Sequence, residues 1–185
     1  CLSLVTLCAC DRGGTPASPP PSSSPPHDGV GQRLGIDVTA QPGRPKTQVS
    51  AERPRIVAFG NSLTAGLGVA PDASYPAQLQ RKLDEAGYHY RVVNAGVSGD
   101  TTAGGIRRVS WVLNSKPSIV ILELGGNDGL RGLSLQETKA NLERIIQELQ
   151  NASVTVVLAG MKLPPNYGKE YIAGFEALYR ALAKQ

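Results

Sequence analysis

The chain has 185 residues, of which 41% are hydrophobic and 18% are charged, and 19 basic against 15 acidic residues give a net charge of +4. This length is sufficient for one domain with a sizeable core. The small, scattered positive charge and the absence of basic–aromatic interleaving argue against a nucleic-acid partner. All three cysteines lie within the first ten residues and no Cys/His cluster exists in the sequence, so we predict no disulfide, metal or cofactor in the domain.

The first ten residues, CLSLVTLCAC, form a short apolar segment, and a Pro/Ser-rich run follows at 15–26. This pattern is typical of the end of a secretion signal, and residues 7–10 resemble a bacterial lipobox with Cys10 as the lipidated residue. We therefore expect an exported bacterial protein, periplasmic or anchored in the membrane as a lipoprotein, with residues 11–53 as a disordered tether. A plain secretion signal is the alternative. Without an initiating Met or a positively charged leader, we expect this end to be incomplete.

Strand-like and helix-like patterns alternate after the leader, in a domain that we place at 54–185. Apolar runs rich in β-branched residues predict strands at 55–59, 90–93, 118–124 and 154–158. Apolar residues at helical spacing, with Gly or Pro as stop signals, predict helices at 75–86, 102–114, 135–149 and 169–183. This alternation predicts a doubly wound, three-layer α/β/α fold around a parallel sheet with right-handed crossovers.

Three polar or flexible residues follow strand-like runs: Ser62, Gly99 and Asn127. Residues beyond the carboxyl ends of neighbouring parallel strands converge on one crevice, so a hydroxyl, a backbone N–H and a carboxamide would meet there. Taken singly, Ser62 is readily explained as a helix cap, and the other two as turn residues. Taken together, they predict a nucleophile with oxyanion donors, as ester hydrolysis requires.

These segments resemble the SGNH (GDSL-type) hydrolases, within the bacterial thioesterase I/lysophospholipase L1 and arylesterase group. Residues 59–68 resemble the nucleophile block, 94–101 the oxyanion-glycine block and 125–128 the oxyanion-asparagine block. A fourth stretch, MKLPPNYG at 161–168, resembles the substrate-side loop and would wall an acyl groove. The resemblance implies a flavodoxin-like strand order 2-1-3-4-5, with strand five absent from these residues.

The resemblance also implies a monomeric serine esterase or acyl-thioesterase, of arylesterase or lysophospholipase type, that acts on small ester, thioester or lipid substrates through an acyl-serine intermediate. Ser62 would be the nucleophile, and its N–H, the Gly99 N–H and the Asn127 side chain would hold the oxyanion. The residues that we expect to contact substrate are Asn61, Leu63, Asp128, Leu163 and Pro164.

Two departures from the family pattern stand out. Asn61 occupies a position where the family usually has Asp, and an amide keeps the size and one acceptor oxygen of the carboxylate. No Asp or His follows Leu158, so the family's Asp-x-x-His block is missing, and neither His27 nor His89 matches it. We therefore expect a truncated chain, inactive alone, whose complete form carries that block.

Two alternatives come from other function classes. If the protein ends at Gln185, a noncatalytic, surface-anchored binding domain of the same fold is the alternative. A nucleotide-binding module is disfavoured, because neither Gly-x-Gly-x-x-Gly nor Gly-Lys-Ser/Thr follows the first strand.

Overall fold

The structure, a computed structural model, describes residues 52–184. The predictions for the leader, including lipidation of Cys10 and most of the tether, lie outside the described residues. Within the described part of the chain, no helix is both long enough and apolar enough to cross a bilayer.

Four strands alternate with helices. The strands are β1 (Arg55–Gly60), β2 (Arg91–Gly96), β3 (Pro117–Glu123) and β4 (Thr155–Leu158). The helices are α1 (Ser62–Ala65), α2 (Tyr75–Glu85), α3 (Thr102–Asn114), α4 (Gly126–Leu130), α5 (Leu135–Asn151) and α6 (Lys169–Leu182), with 3₁₀ turns at Pro71–Ala73 and Pro165–Tyr167. The predicted α/β fold is confirmed.

The sheet has the order β2-β1-β3-β4, and every pairing is parallel. This is the order predicted for the first four strands. β1 is central, and its register pairs Gly60 with Gly96 on one side and Glu123 on the other. The loops that leave these three strands are therefore neighbours at one edge of the sheet, although they are far apart in sequence.

Large apolar side chains from β1, β3, α5 and α6 form the core. Phe59 and Leu122 are fully buried in the sheet, and the apolar stripe of α5 covers them with Leu142, Ile145 and Leu149. The stripe follows from apolar residues at helical spacing, which place one face of α5 against the sheet. α6 adds Phe175, whose ring meets the Tyr179 ring edge-on at 5.3 Å.

β2 extends three residues beyond its predicted end, to Gly96. The added residues include Gly96 itself, where a Cβ atom would lie 2.1 Å from the Ala65 nitrogen. A glycine is needed here because α1 crosses directly over the end of β2. Close backbone approach therefore explains why β2 ends in a glycine.

Candidate active site

Ser62 lies on a tight strand-to-helix turn at the end of β1. Asn61 caps α1, and its Oδ1 accepts the Leu63 N–H at 2.9 Å. Gly66, with a φ of 83°, ends this helix after four residues, and its N–H bonds the Ser62 carbonyl at 3.1 Å. Ser62 is half-buried and lines a cavity. The turn therefore holds the hydroxyl-bearing residue at the sheet edge with a fixed backbone.

The buried carboxylate of Glu123 accepts hydrogen bonds from two residues of this turn. Glu123, 7% exposed, ends β3 and accepts hydrogen bonds from the Asn61 side-chain amide at 2.8 Å and the Thr64 hydroxyl at 2.7 Å. Burial raises the pKa of the Glu123 carboxyl above its ordinary value, although these hydrogen bonds favour the charged form. A Cβ on Gly60 would lie 2.0 Å from the Thr64 Oγ1, so only glycine fits between the turn and the carboxylate.

Asn127 lies on α4, just beyond β3. Its Nδ2 donates to the Asp100 carbonyl at 2.8 Å, and the residue is half-buried and lines the same cavity as Ser62. Gly125 precedes the helix with a φ of 106°, which a residue with a side chain rarely adopts. A primary amide carries two donor hydrogens, so one hydrogen can position Asn127 while the second serves a ligand.

Gly99 lies in the loop between β2 and α3, with a φ of 79°. Its carbonyl accepts a hydrogen bond from the Arg131 Nη2 at 3.0 Å. Gly99 does not line the cavity, and its link to the site runs through the neighbouring Asp100, which binds Asn127. The structure thus brings Ser62 and Asn127 to one cavity and places Gly99 on the adjoining loop.

The cavity has a volume of about 450 Å³ and a largely apolar lining. Four of the five predicted substrate contacts line it: Asn61, Leu63, Leu163 and Pro164. The lining also includes Met161 and Lys162, from the loop expected to wall an acyl groove, and three residues that the sequence did not single out: Gly126, Leu130 and Gly160. Its size and composition suit an apolar group of a small molecule.

Asp128 is a correction to the predicted set of substrate contacts. It is 2% exposed and does not line the cavity. Its carboxylate accepts the Thr102 N–H at 2.9 Å and the Thr102 hydroxyl at 2.6 Å, which ties α4 to the start of α3. A carboxylate held in this way caps a helix and is unavailable to a ligand.

Arg108 is a residue of the site region that sequence reasoning missed. Its guanidinium binds the Asp100 carboxylate, donates to the Ala95 carbonyl at 3.0 Å and lies 4.8 Å from the Phe59 ring centroid. A further bond, at 3.3 Å, reaches the Gly60 carbonyl. Arg108 thereby joins the ends of β1 and β2 to the loop that contains Gly99. Because these partners lie outside α3, no local pattern in the sequence identifies Arg108 as part of the site region.

No described histidine lies in this region. His89 is exposed and precedes β2, at the opposite edge of the sheet from Ser62. Across residues 52–184, no group of three or more His, Cys, Asp or Glu side chains is arranged to hold a metal ion. Ser62 and Asn127 therefore supply a hydroxyl and an amide donor, and the described residues offer no imidazole to accept the serine proton.

Comparisons with known proteins agree with this geometry. The family model for the GDSL-like Lipase/Acylhydrolase family matches residues 58–185. Esterase TesA of Pseudomonas aeruginosa is 44% identical over 140 residues, which are 75% of this chain and 69% of the relative. Thioesterase 1/protease 1/lysophospholipase L1 of Escherichia coli strain K12 is 40% identical over 131 residues, which are 70% of this chain and 62% of the relative. The chain thus spans about two thirds of the length of these curated relatives.

Solved structures give the same result. The crystal structure of AlinE4, an SGNH-hydrolase family esterase, matches with a TM-score of 0.69 and 48% identity over 72% of each chain. The relatives are named as hydrolases, which does not favour the noncatalytic alternative. From the fold, the position of Ser62 and Asn127 and these matches, we conclude that the chain belongs to the GDSL-like lipase/acylhydrolase family.

Proposed function

We propose that the protein hydrolyses carboxylic esters and acyl thioesters through an acyl intermediate on Ser62. The observation that supports this most directly is the shared cavity, because Ser62 and Asn127 both line one largely apolar space of about 450 Å³. A nucleophile and an oxyanion donor beside a pocket for an acyl chain are the parts that acyl transfer requires.

In the proposed reaction, the Ser62 oxygen attacks the acyl carbon and the carbonyl oxygen becomes an oxyanion. The Ser62 N–H, the Gly99 N–H and the free hydrogen of the Asn127 amide stabilise that charge. The alkoxide or thiolate leaves with a proton, and the acyl group stays on Ser62. Water then attacks the acyl-serine, which releases the carboxylic acid and regenerates the hydroxyl.

A general base is needed to take the Ser62 proton. The described residues place no imidazole in the cavity lining, and the family resemblance assigns this task to an Asp-x-x-His block that residues 1–185 do not contain. We propose that a group other than the described lining residues accepts this proton. Hydrolysis is to be measured on the complete natural gene product.

The proposed substrates carry acyl groups of moderate length. Leu63, Leu130, Met161 and Leu163 give the cavity apolar walls, and Lys162 places one positive charge at its border. The relatives named as thioesterase 1/lysophospholipase L1 and arylesterase support thioesters, lysophospholipids and aryl esters as candidates.

We further propose an exported monomer whose membrane attachment is a lipid on Cys10. Export and lipidation rest on the apolar segment 1–10 and the Pro/Ser-rich run that follows it, and the monomeric state is what the family resemblance implies. Radiolabelled palmitate supplied to a bacterial host should enter the protein, and Cys10→Ala should abolish the label. Label that persists in Cys10→Ala would contradict lipidation at this residue.

The test of the proposed activity compares three forms of the complete gene product on p-nitrophenyl esters and acyl-CoA thioesters. Ser62→Ala should remove the hydrolysis of both substrates, because it removes the nucleophile. Ser110→Ala is the matched control, since Ser110 is exposed on α3, and it should retain full activity. Hydrolysis by Ser62→Ala at the unsubstituted rate would overturn the proposal.

A further inference from the structure

The loop after β2, residues 97–101, is held by two side chains of α4 and its C-cap. The Asn127 Nδ2 donates to the Asp100 carbonyl at 2.8 Å. The Arg131 Nη2 donates to the preceding carbonyl, that of Gly99, at 3.0 Å. Asn127 and Arg131 are four residues apart, and the Arg131 N–H bonds the Asn127 carbonyl at 3.1 Å, so both side chains lie on one face of this helical turn. That face therefore binds the loop at two adjacent carbonyls.

This loop contains a type II turn with Gly99 at its third position. The Asp100 N–H donates to the Val97 carbonyl at 3.1 Å, the φ of Ser98 is negative and the φ of Gly99 is 79°. Type I and type II turns differ in the direction that the central peptide faces, and glycine adopts either without strain. The central peptide here carries the Gly99 N–H. The direction of this N–H therefore depends on how firmly the loop is held.

The Gly99 N–H is free to serve a ligand. It makes no hydrogen bond to any of residues 52–184, and Gly99 is exposed. Arg108 holds the neighbouring Asp100 through its carboxylate, from α3. The hydrogen bond that reaches Gly99 itself from another element comes from Arg131. Arg131 is thus the side chain that acts most directly on the peptide groups of Gly99.

Arg131 has neither a place in the cavity nor an acidic partner. Its side chain is exposed and does not line the cavity. No carboxylate within the described part of the chain pairs with its guanidinium. Its bond to the Gly99 carbonyl is therefore the contact through which it can influence a reaction at Ser62.

We propose that Arg131 is a positioning residue for the Gly99 N–H, one of the oxyanion donors. The role of that N–H rests on the proposed function. One hydrogen bond, from Asn127, would let the loop pivot, and the second, from Arg131, prevents this. The two bonds together keep the Gly99 N–H and the Asn127 amide directed at the same oxygen. Because a displacement of about 1 Å can cost about 100-fold in rate, this fixed placement matters to the reaction.

The experiment measures steady-state kinetics of the complete gene product on a p-nitrophenyl ester. Arg131→Ala should lower kcat by about 10–100-fold, because the Gly99 donor is displaced, and KM should stay within about a factor of two. Arg107→Ala is the matched control, since Arg107 is also exposed and also donates to a backbone carbonyl, that of Ala103, at 3.1 Å. This control should keep the unsubstituted kcat.

Salt distinguishes positioning by Arg131 from a direct effect of its positive charge. The field of an exposed cation is screened as salt rises, because the Debye length falls from about 10 Å at 0.1 M to about 3 Å at 1 M. The ratio of kcat between the unsubstituted protein and Arg131→Ala should therefore be the same at about 0.1 M and about 1 M sodium chloride. A ratio that falls to one at the higher concentration would overturn positioning.

A second readout reports on the loop without turnover. The ¹H–¹⁵N heteronuclear NOE values of Gly99 and Asp100 should fall in Arg131→Ala, because the loop gains motion, and should stay unchanged in Arg107→Ala. Unchanged NOE values in Arg131→Ala, or a kcat equal to that of the control, would overturn the inference. Hydrolysis that survives Ser62→Ala would instead contradict the proposed function, so the two failures are distinguishable.

Discussion

The side-chain amide of Asn127 donates to the Asp100 carbonyl at 2.8 Å, so the loop after β2 orients the side chain of a residue that follows β3. We predict that Asn127→Ala lowers kcat by about 10²–10³-fold in the complete gene product, because the oxyanion loses one donor. KM should change much less, since the donor acts mainly in the transition state. Steady-state kinetics on an aryl ester measure both constants.

Asn151→Ala provides the matched control for Asn127→Ala. Asn151 is exposed at the end of α5 and should be replaceable without loss of rate. Turnover of Asn127→Ala within a factor of two of the unsubstituted protein would remove Asn127 from the oxyanion site.

Arg108 should not be replaceable by lysine. The guanidinium binds Asp100 with two nitrogens while it also reaches two backbone carbonyls, and an ammonium group cannot reproduce that geometry. We expect Arg108→Lys to lower the free energy of unfolding by about 1–3 kcal/mol, as measured by urea denaturation. Arg107→Lys, on the exposed side of the same helix, should be close to neutral. Equal stability of the two variants would show that the contacts of Arg108 add nothing.

Gly125→Ala should be more destabilising than Gly87→Ala. Both glycines have a positive φ, so each substitution incurs a backbone cost of about 1–2 kcal/mol. A Cβ at Gly125 would also lie 2.3 Å from the Tyr179 hydroxyl, whereas a Cβ at Gly87 meets no atom within 4 Å. The difference between the two variants in thermal unfolding therefore measures mainly the clash at Gly125. Identical melting temperatures would contradict this close packing of α6 on the end of β3.

The Tyr179 hydroxyl donates to the Leu124 carbonyl at 2.8 Å in a buried position, and burial raises the pKa of this phenol. Tyr179→Phe leaves that carbonyl without this donor, so we expect a loss of about 1–3 kcal/mol in the free energy of unfolding. Tyr88→Phe, at an exposed position, removes a hydroxyl without such a cost. Chemical denaturation of both variants tests the difference, and a Tyr179→Phe value within error of the control would refute it.

The elements with strong periodicity were predictable from the sequence. α5 carries apolar residues at helical spacing over 17 residues, and β3 is a nearly continuous apolar run, so both were placed within about two residues. The strand order of the four described strands was carried by the family resemblance and is confirmed by the parallel pairing.

The polar contacts were predictable only in part. Asn127 and Asp128 are neighbours in sequence, yet successive helical residues point about 100° apart, so one lines the cavity while the other caps α3. In the sequence, Glu123 is recognisable only as a single acidic residue at the end of a buried apolar strand. The partners of Glu123 and Arg108 lie on other elements, and spacing along a chain does not identify contacts of that kind.

The hydrogen bonds between Glu123 and the turn at residues 60–66, which contains Ser62, determine when during folding the site can form. β1 can pair with β2 as soon as residue 96 exists, but the acid that accepts from Asn61 and Thr64 follows Asn61 by 62 residues. Until β3 joins the sheet, the Asn61 amide and the Thr64 hydroxyl lack the carboxylate that accepts from both in the folded structure. Local folding at residues 60–66 therefore does not complete the geometry around Ser62, because the hydrogen bonds to Glu123 form only when β3 has joined the sheet.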